Sequence, residues 1–309
     1  MAFVNQGSFR LFRVAGIDVF LHWSWFLVAI YEINQRSHRY TSLSWNALEY
    51  LALFGLVLLH EFGHALACRQ TGGRVGRIML WPLGGVAIVD PPPRPGATLW
   101  SIAAGPLVNV MLVPVFLGLA LVTRSLGLNA AAPNLHALLR SVAFLNVGLL
   151  VFNLLPIYPL DGGQILRSLL WFPLGRARSL VTATVIGFAG VALLILAALW
   201  VKSVWLGVLA VFILLSCWQG LQHALALARI DRAPRRSGFA CPGCGAAPRA
   251  GAFWLCSQCR TPFDTFETGA ACPRCGAGFA ATRCMDCGQQ HPLSAWASPP
   301  PLPEEAKRT

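Results

Sequence analysis

Charge is what this chain has least of. Only 12% of its 309 residues are charged and 56% are hydrophobic, where a soluble domain carries roughly 25% and 45–50%. That balance excludes an ordinary soluble protein and indicates a membrane protein. Carboxylates are scarcest: residues 1–228 hold six, Asp18, Glu32, Glu49, Glu61, Asp90 and Asp161. Lysine is nearly missing, with two against 22 arginines, a usage that together with abundant Ala, Leu and Gly fits a bacterial, GC-rich source. The net charge of +12 does not indicate nucleic acid, because up to residue 228 the basic residues fall mostly in short links between apolar runs, as a topology signal does. No cleavable leader is expected either. The first apolar run carries Asp18, His22 and Glu32 and ends in YEINQRSHRY without a small-residue cleavage pattern, so it is expected to be retained.

What is present is a series of apolar runs. A span needs about 20 mostly apolar residues, and six can be drawn: 14–33, 46–69, 99–122, 141–160, 180–201 and 203–228. The third, fourth and fifth contain no charge. With the N-terminus inside, thirteen arginines from Arg10 to Arg236 face the cytoplasm and five basic residues, Arg36, Arg39, Arg124, Arg140 and Lys202, face outward. Both termini are therefore expected to be cytoplasmic. The stretch GGRVGRIMLWPLGGVAIVDPPPRPG between the second and third runs is too broken for a helix and reads as short strands around Gly84 and Gly85,. Irregular backbone at membrane depth survives only when buried in protein or lining a wet cavity.

Inside the second run stands HEFGH, residues 60–64. On a helix, residues four apart share a face, so His60 and His64 can reach one metal while Glu61 addresses its open coordination position. Catalytic zinc usually takes three protein ligands, so a third is expected nearby. Asp161, in FNLLPIYPLDGGQ at the end of the fourth run, lies at the same depth, since the second and fourth runs both travel outside to inside. Each motif alone has a bland reading: a chance match on a helix, or a helix-end acid in water. An ionisable trio at one depth with no task would cost stability for nothing.

The chain resembles the site-2 proteases, polytopic intramembrane zinc metalloproteases. The match rests on HEFGH at 60–64, AAGPLVN at 103–109 and NLLPIYPLDGG at 153–163, in the family's order, with GIDVFLHWSW at 16–25 and LWPLGGVA at 80–87 resembling the six-span branch. The resemblance covers roughly residues 10–225. It implies His60, His64 and Asp161 as zinc ligands, Glu61 as catalytic acid and base, and a role near the site for Asn153, with Asn109 as a second candidate. An interhelical hydrogen bond, typically under ~2 kcal/mol, would equally account for either asparagine. The implied activity is hydrolysis of peptide bonds in transmembrane helices of membrane-protein substrates. Such a helix must unwind locally before attack, and the strand-like stretch 78–89 could receive it by edge pairing.

After residue 228 the composition changes. A basic linker, 229–240, leads to eight cysteines spaced Cys241-x2-Cys244, Cys256-x2-Cys259, Cys272-x2-Cys275 and Cys284-x2-Cys287. Four such knuckles form a zinc-ribbon signature, and in a reducing cytoplasm metal thiolates are favoured over disulfides. The simplest pairing joins consecutive knuckles; a crossed one would satisfy the same ligands. Four thiolates leave no place for water, so these two zinc sites are structural and the module needs metal to fold. Arg249, Arg260, Arg274 and Arg283 form no basic and aromatic stripe for nucleic acid, and a protein partner fits the module better. Residues 292–309 read as a disordered tail.

The expectation is an all-α polytopic membrane protein of about six transmembrane helices, with a small β element near the active site (1–228), followed by a small zinc-ribbon β domain (241–291). Its setting is the lipid bilayer of a bacterial cytoplasmic membrane, and it holds one catalytic and two structural zinc ions. A metal-binding scaffold acting through the tail without hydrolysis is the alternative. A zinc transporter is weaker still, because two His and one Asp make a fixed site rather than a graded path.

Overall fold

A computed structural model describes residues 7–35, 39–81 and 84–296. The chain divides into two compact units, Met1–Ala224 and Leu225–Thr309. The first unit opens with an antiparallel hairpin of β1 (Ser8–Val14) and β2 (Ile17–His22). Ala15 and Gly16, at φ 49° and 73°, supply the left-handed pair that a two-residue hairpin turn requires. Along β2 burial alternates, so Ile17, Val19 and Leu21 point inward,. They pack with Ile78 and Leu80 of β3 (Arg74–Trp81) and with Trp25, Val57 and Ala65. β2 pairs parallel with β3, and β3 antiparallel with β4 (Gly84–Asp90), giving the order β1-β2-β3-β4. Residues 82 and 83, within the LWPLGGVA motif, lie outside the described residues.

The expected first span, 14–33, is therefore not one helix. The period-two alternation of 17–22 prevails over its apolar content because a sheet partner is available in β3. α1 (Ser24–Gln35) has 12 residues, about 18 Å of helix, short of a ~30 Å bilayer core. α2 (Leu43–Gln70), with 28 residues, is about 42 Å long. Of the expected first span only the short α1 is helical, and α1 is not among the helices long enough to cross a membrane; Arg36 lies outside the described residues.

α3 (Pro95–Ser125), the short α4 (Leu128–Ala131), α5 (Pro133–Leu154), α6 (Asp161–Leu174), α7 (Arg176–Val201) and α8 (Val204–Arg232) follow. Among the described residues, five helices are long and apolar enough to cross a membrane: α2, α3, α5, α7 and most of α8. The expected fourth span, 141–160, is shifted. Its helix starts at Pro133, where a proline at the first position is tolerated, and stops at Leu154, because Leu155 precedes Pro156 and is biased out of helix. α8 continues into the expected linker as far as Arg232.

α3 runs antiparallel to α2 and very close to it: a side-chain carbon on Gly63 would lie 2.6 Å from the Ala104 carbonyl oxygen. Small residues permit such approaches between membrane helices. α5 runs parallel to α2, tied near its start by Ser141 donating to Glu49 and further along by Asn146 bonding Asn109 of α3.

The second unit holds two short hairpins, β5 (Trp254–Leu255) with β6 (Pro262–Phe263) and β7 (Thr282–Arg283) with β8 (Gln290–His291). Phe266 is its hub, with Phe239, Trp254 and Trp296 at ring distances of 5.1–5.4 Å. Trp296 ends a 3-10 turn, Leu293–Trp296, is 1% exposed, and accepts a hydrogen bond from the Ala240 N–H at 2.8 Å. Order thus extends into the expected tail, because a tryptophan closes the core; residues 297–309 lie outside the described residues.

Candidate metal centres

His60 and His64 stand one turn apart on α2, both buried, with their Nε2 atoms 3.1 Å apart. Asp161, the first residue of α6, brings Oδ2 to 2.9 Å from His60 Nε2 and 3.4 Å from His64 Nε2. A tetrahedral zinc ion with 2.0–2.1 Å bonds separates such ligands by about 3.3 Å, so the trio fits that ion. The break after α5 delivers the carboxylate. Residues 155–160 fold back so tightly that a side chain on Gly162 would strike the Leu154 carbonyl, and one on Gly163 the Tyr158 nitrogen.

α3 braces both imidazoles from behind. The carbonyl of Ser101 lies 2.9 Å from His64 Nδ1; a carbonyl only accepts, so Nδ1 carries the proton and Nε2 keeps its lone pair. His60 Nδ1 lies 2.6 Å from Asn109 Oδ1. Metal-ligating histidines characteristically make such outer hydrogen bonds. Gly105, between these two supports, faces the tips of both rings, and a methyl there would collide with His64.

Glu61 is buried, and its Oε2 accepts the Ala87 N–H of β4 at 2.8 Å. β4 is the last strand of the sheet, so this N–H comes from its free edge. Gly85 lies flat against the same carboxylate, leaving no room for a side chain. Asn153 is half-buried on the last turn of α5, and its side-chain amide makes no hydrogen bond among the described residues. The asparagine that touches a site residue is Asn109. Sequence reasoning missed Ser101, Gly105 and Asn146. Asn146 carried a signal, as a polar residue in an apolar run two helical turns before Asn153.

In the second unit the cysteines converge as two quartets, Cys241, Cys244, Cys284 and Cys287, and Cys256, Cys259, Cys272 and Cys275. The pairing is nested, not consecutive. The second and third knuckles meet across residues 260–271, leaving the first and last to close around them, with Cys241 and Cys284 packed on Trp296. Sulfur separations are 3.6–3.8 Å, near the ~3.8 Å expected for 2.3 Å zinc–sulfur bonds and far from a disulfide. Hydrogen bonding from Thr261 lowers the pKa of the Cys259 thiol to about 6, while hydrogen bonding with the other three cysteines of its quartet pushes that of Cys275 up to about 12, so the thiols share protons with one another.

A model of peptidase family M50 matches residues 49–128 and 120–197. The solved structure of a site-2 protease from Methanocaldococcus jannaschii aligns at a TM-score of 0.52 and 30% identity, covering 69% of this chain and 95% of that one. The chain belongs to the site-2 protease family, peptidase family M50. Relatives at the sequence level include a zinc metalloprotease of Methanocaldococcus jannaschii, 37% identical over 182 residues, 58% of this chain and 50% of that protein. Stage IV sporulation protein FB of Bacillus subtilis is 35% identical over 118 residues, 38% of each chain. The chain spans half or less of the length of the curated relatives it matches.

Two predictions follow from this geometry. Gly105→Ala should displace the His64 ring and weaken zinc uptake at the trio by roughly tenfold or more, with the cysteine quartets unaffected; metal content per chain reads this directly. Nested pairing predicts that Cys241→Ser with Cys284→Ser removes one zinc equivalent, whereas Cys241→Ser with Cys256→Ser removes two. Consecutive pairing predicts the reverse.

Proposed function

We propose that this chain is an intramembrane zinc endopeptidase that hydrolyses peptide bonds in transmembrane helices of membrane-protein substrates. The observation that carries this reading is the convergence of His60 Nε2, His64 Nε2 and Asp161 Oδ2 within 3.4 Å, with Glu61 beside them on the same helix. His60, His64 and Asp161 would hold the ion and leave a coordination position free. Bound there, zinc would supply Lewis acidity to a carbonyl and acidify water toward a pKa of ~7. Glu61 takes the proton of the attacking water and passes it to the leaving amide nitrogen as the C–N bond breaks and the C–O bond forms. The Ala87 N–H holds the carboxylate in place meanwhile. Asn153, at the end of α5 with its amide free among the described residues, serves as a contact for the substrate carbonyl.

The substrate helix must unwind before its carbonyl is reachable, and the free edge of β4 offers replacement hydrogen bonds beside Glu61. Both termini face the cytoplasm of a bacterial cell by the excess of basic residues on that side, so cleavage occurs near the cytoplasmic face. The two cysteine quartets hold structural zinc. Their module recruits a protein partner or the cytoplasmic part of a substrate, and not nucleic acid.

Glu61→Gln should keep its zinc and lose cleavage of a reconstituted membrane substrate by about 10²-fold or more. The proteins that accumulate in cells carrying this variant would be the substrates. Unchanged cellular function would favour the scaffold alternative instead. Replacing Gly or Pro near the cleavage point of a substrate by Leu or Ala should slow cleavage in micelles, and equal rates would remove the unwinding step.

A further inference from the structure

We propose that Asn146 of α5 is a positioning residue for the membrane metal centre. It fixes the side-chain amide of Asn109 in the one orientation that keeps His60 Nε2 available to zinc. The inference rests on the zinc reading of the trio given above.

The two histidines are supported differently. His64 Nδ1 faces the Ser101 backbone carbonyl, a group that can only accept, so its tautomer is set. His60 Nδ1 faces a side-chain amide at 2.6 Å, and an amide has an accepting end and a donating end of nearly equal shape. If the amide of Asn109 turned over, its NH2 would point at Nδ1. The imidazole proton would then move to Nε2, the atom that faces His64 and Asp161, and a protonated Nε2 is not a ligand.

Asn146 removes that freedom. One end of its amide lies 3.0 Å from the backbone carbonyl oxygen of Asn109. That oxygen only accepts, so the end facing it is the Nδ2 donor. The other end is then Oδ1, an acceptor, and it lies 2.8 Å from the Asn109 side chain, which must present Nδ2 to it. The remaining atom of Asn109 is Oδ1, and it faces His60. Each assignment follows from the one before, and the series ends in a backbone carbonyl that cannot be inverted. Turning Asn109 over would set two acceptors against each other at 2.8 Å, and turning both amides would set Asn146 Oδ1 against the carbonyl at 3.0 Å. Both side chains are fully buried, so water does not compensate a mismatch, and an unpaired buried polar group costs about 1–3 kcal/mol.

The test uses the full-length protein in detergent micelles, with zinc content per chain and competition against a chelator as readouts. The His60→Ala variant defines the background from the cysteine quartets. Asn146→Ala is expected to weaken zinc at the trio by about 10–100-fold. Asn146→Leu, branched at the same carbon but apolar, should give the same loss if the alanine variant does not fold. Asn109→Asp combined with Asn146→Ala should return affinity to within a few-fold of wild type, because a carboxylate accepts from His60 through either oxygen and needs no lock. A purely structural role for Asn146 would not respond to that exchange. Wild-type zinc affinity in Asn146→Ala or Asn146→Leu would overturn the proposal, as would a folded double variant no better than the single one. Equal zinc content in wild type and His60→Ala would overturn the metal reading itself, and the relay with it.

Discussion

Three polar atoms meeting within 3.4 Å inside a bundle of apolar helices is the constraint on which the first unit is built. Polar side chains at that depth must find partners, and every nearby deviation from plain helix packing serves the meeting. Gly63 and Ala104 let α3 approach α2; Gly105 leaves space for the two imidazole rings; Ser101 and Asn109 reach their outer nitrogens. The break between α5 and α6, with Gly162 and Gly163 packed on its backbone, turns the chain so that a carboxylate from α6 arrives at the same point.

The sheet answers a different need. A helix spends its interior N–H groups on its own carbonyls, so no neighbouring helix can readily offer one to the Glu61 carboxylate. A strand edge can, since alternate N–H groups point away from its partner. β4 uses Ala87 in this way, and glycine at position 85 brings the backbone close enough to do it. Backbone that is neither helical nor in a closed barrel persists at membrane depth when protein buries it, and β4 lies between β3 and α2. The same edge that steadies Glu61 is therefore a source of backbone hydrogen bonds next to the trio.

What the sequence disclosed follows from the range over which each signal acts. His60 and His64 are four residues apart, so helical periodicity alone puts them on one face. Asp161 could be placed at their depth because two spans ran in the same direction. The strand β2 was hidden because Ile17, Val19 and Leu21 are as apolar as a membrane helix and their partner, β3, lies more than fifty residues away. Asn109 and Asn146 were less legible than Asn153, since their importance comes from a cross-helix arrangement that no local spacing encodes. The cysteine pairing was undetermined for a similar reason. The links between successive knuckles, residues 245–255, 260–271 and 276–283, are of similar length, so loop closure discriminates weakly between pairings when each doubling of length costs only about 0.6 kcal/mol.

Nesting resolves that ambiguity through packing. Joining the second and third knuckles closes residues 256–275 and carries Phe263 and Phe279 into a stack at 5.5 Å. With that loop closed, the first and fourth knuckles are separated by the short arms 245–255 and 276–283 rather than by the whole intervening chain, and the second closure costs less entropy than it would alone. Trp296 then seals Cys241 and Cys284 from outside. A consecutive arrangement would leave each quartet in its own loop and would give Phe266 no reason to contact Phe239, Trp254 and Trp296 together. One aromatic hub, shared by segments from both ends of the module, makes the two quartets a single folding unit.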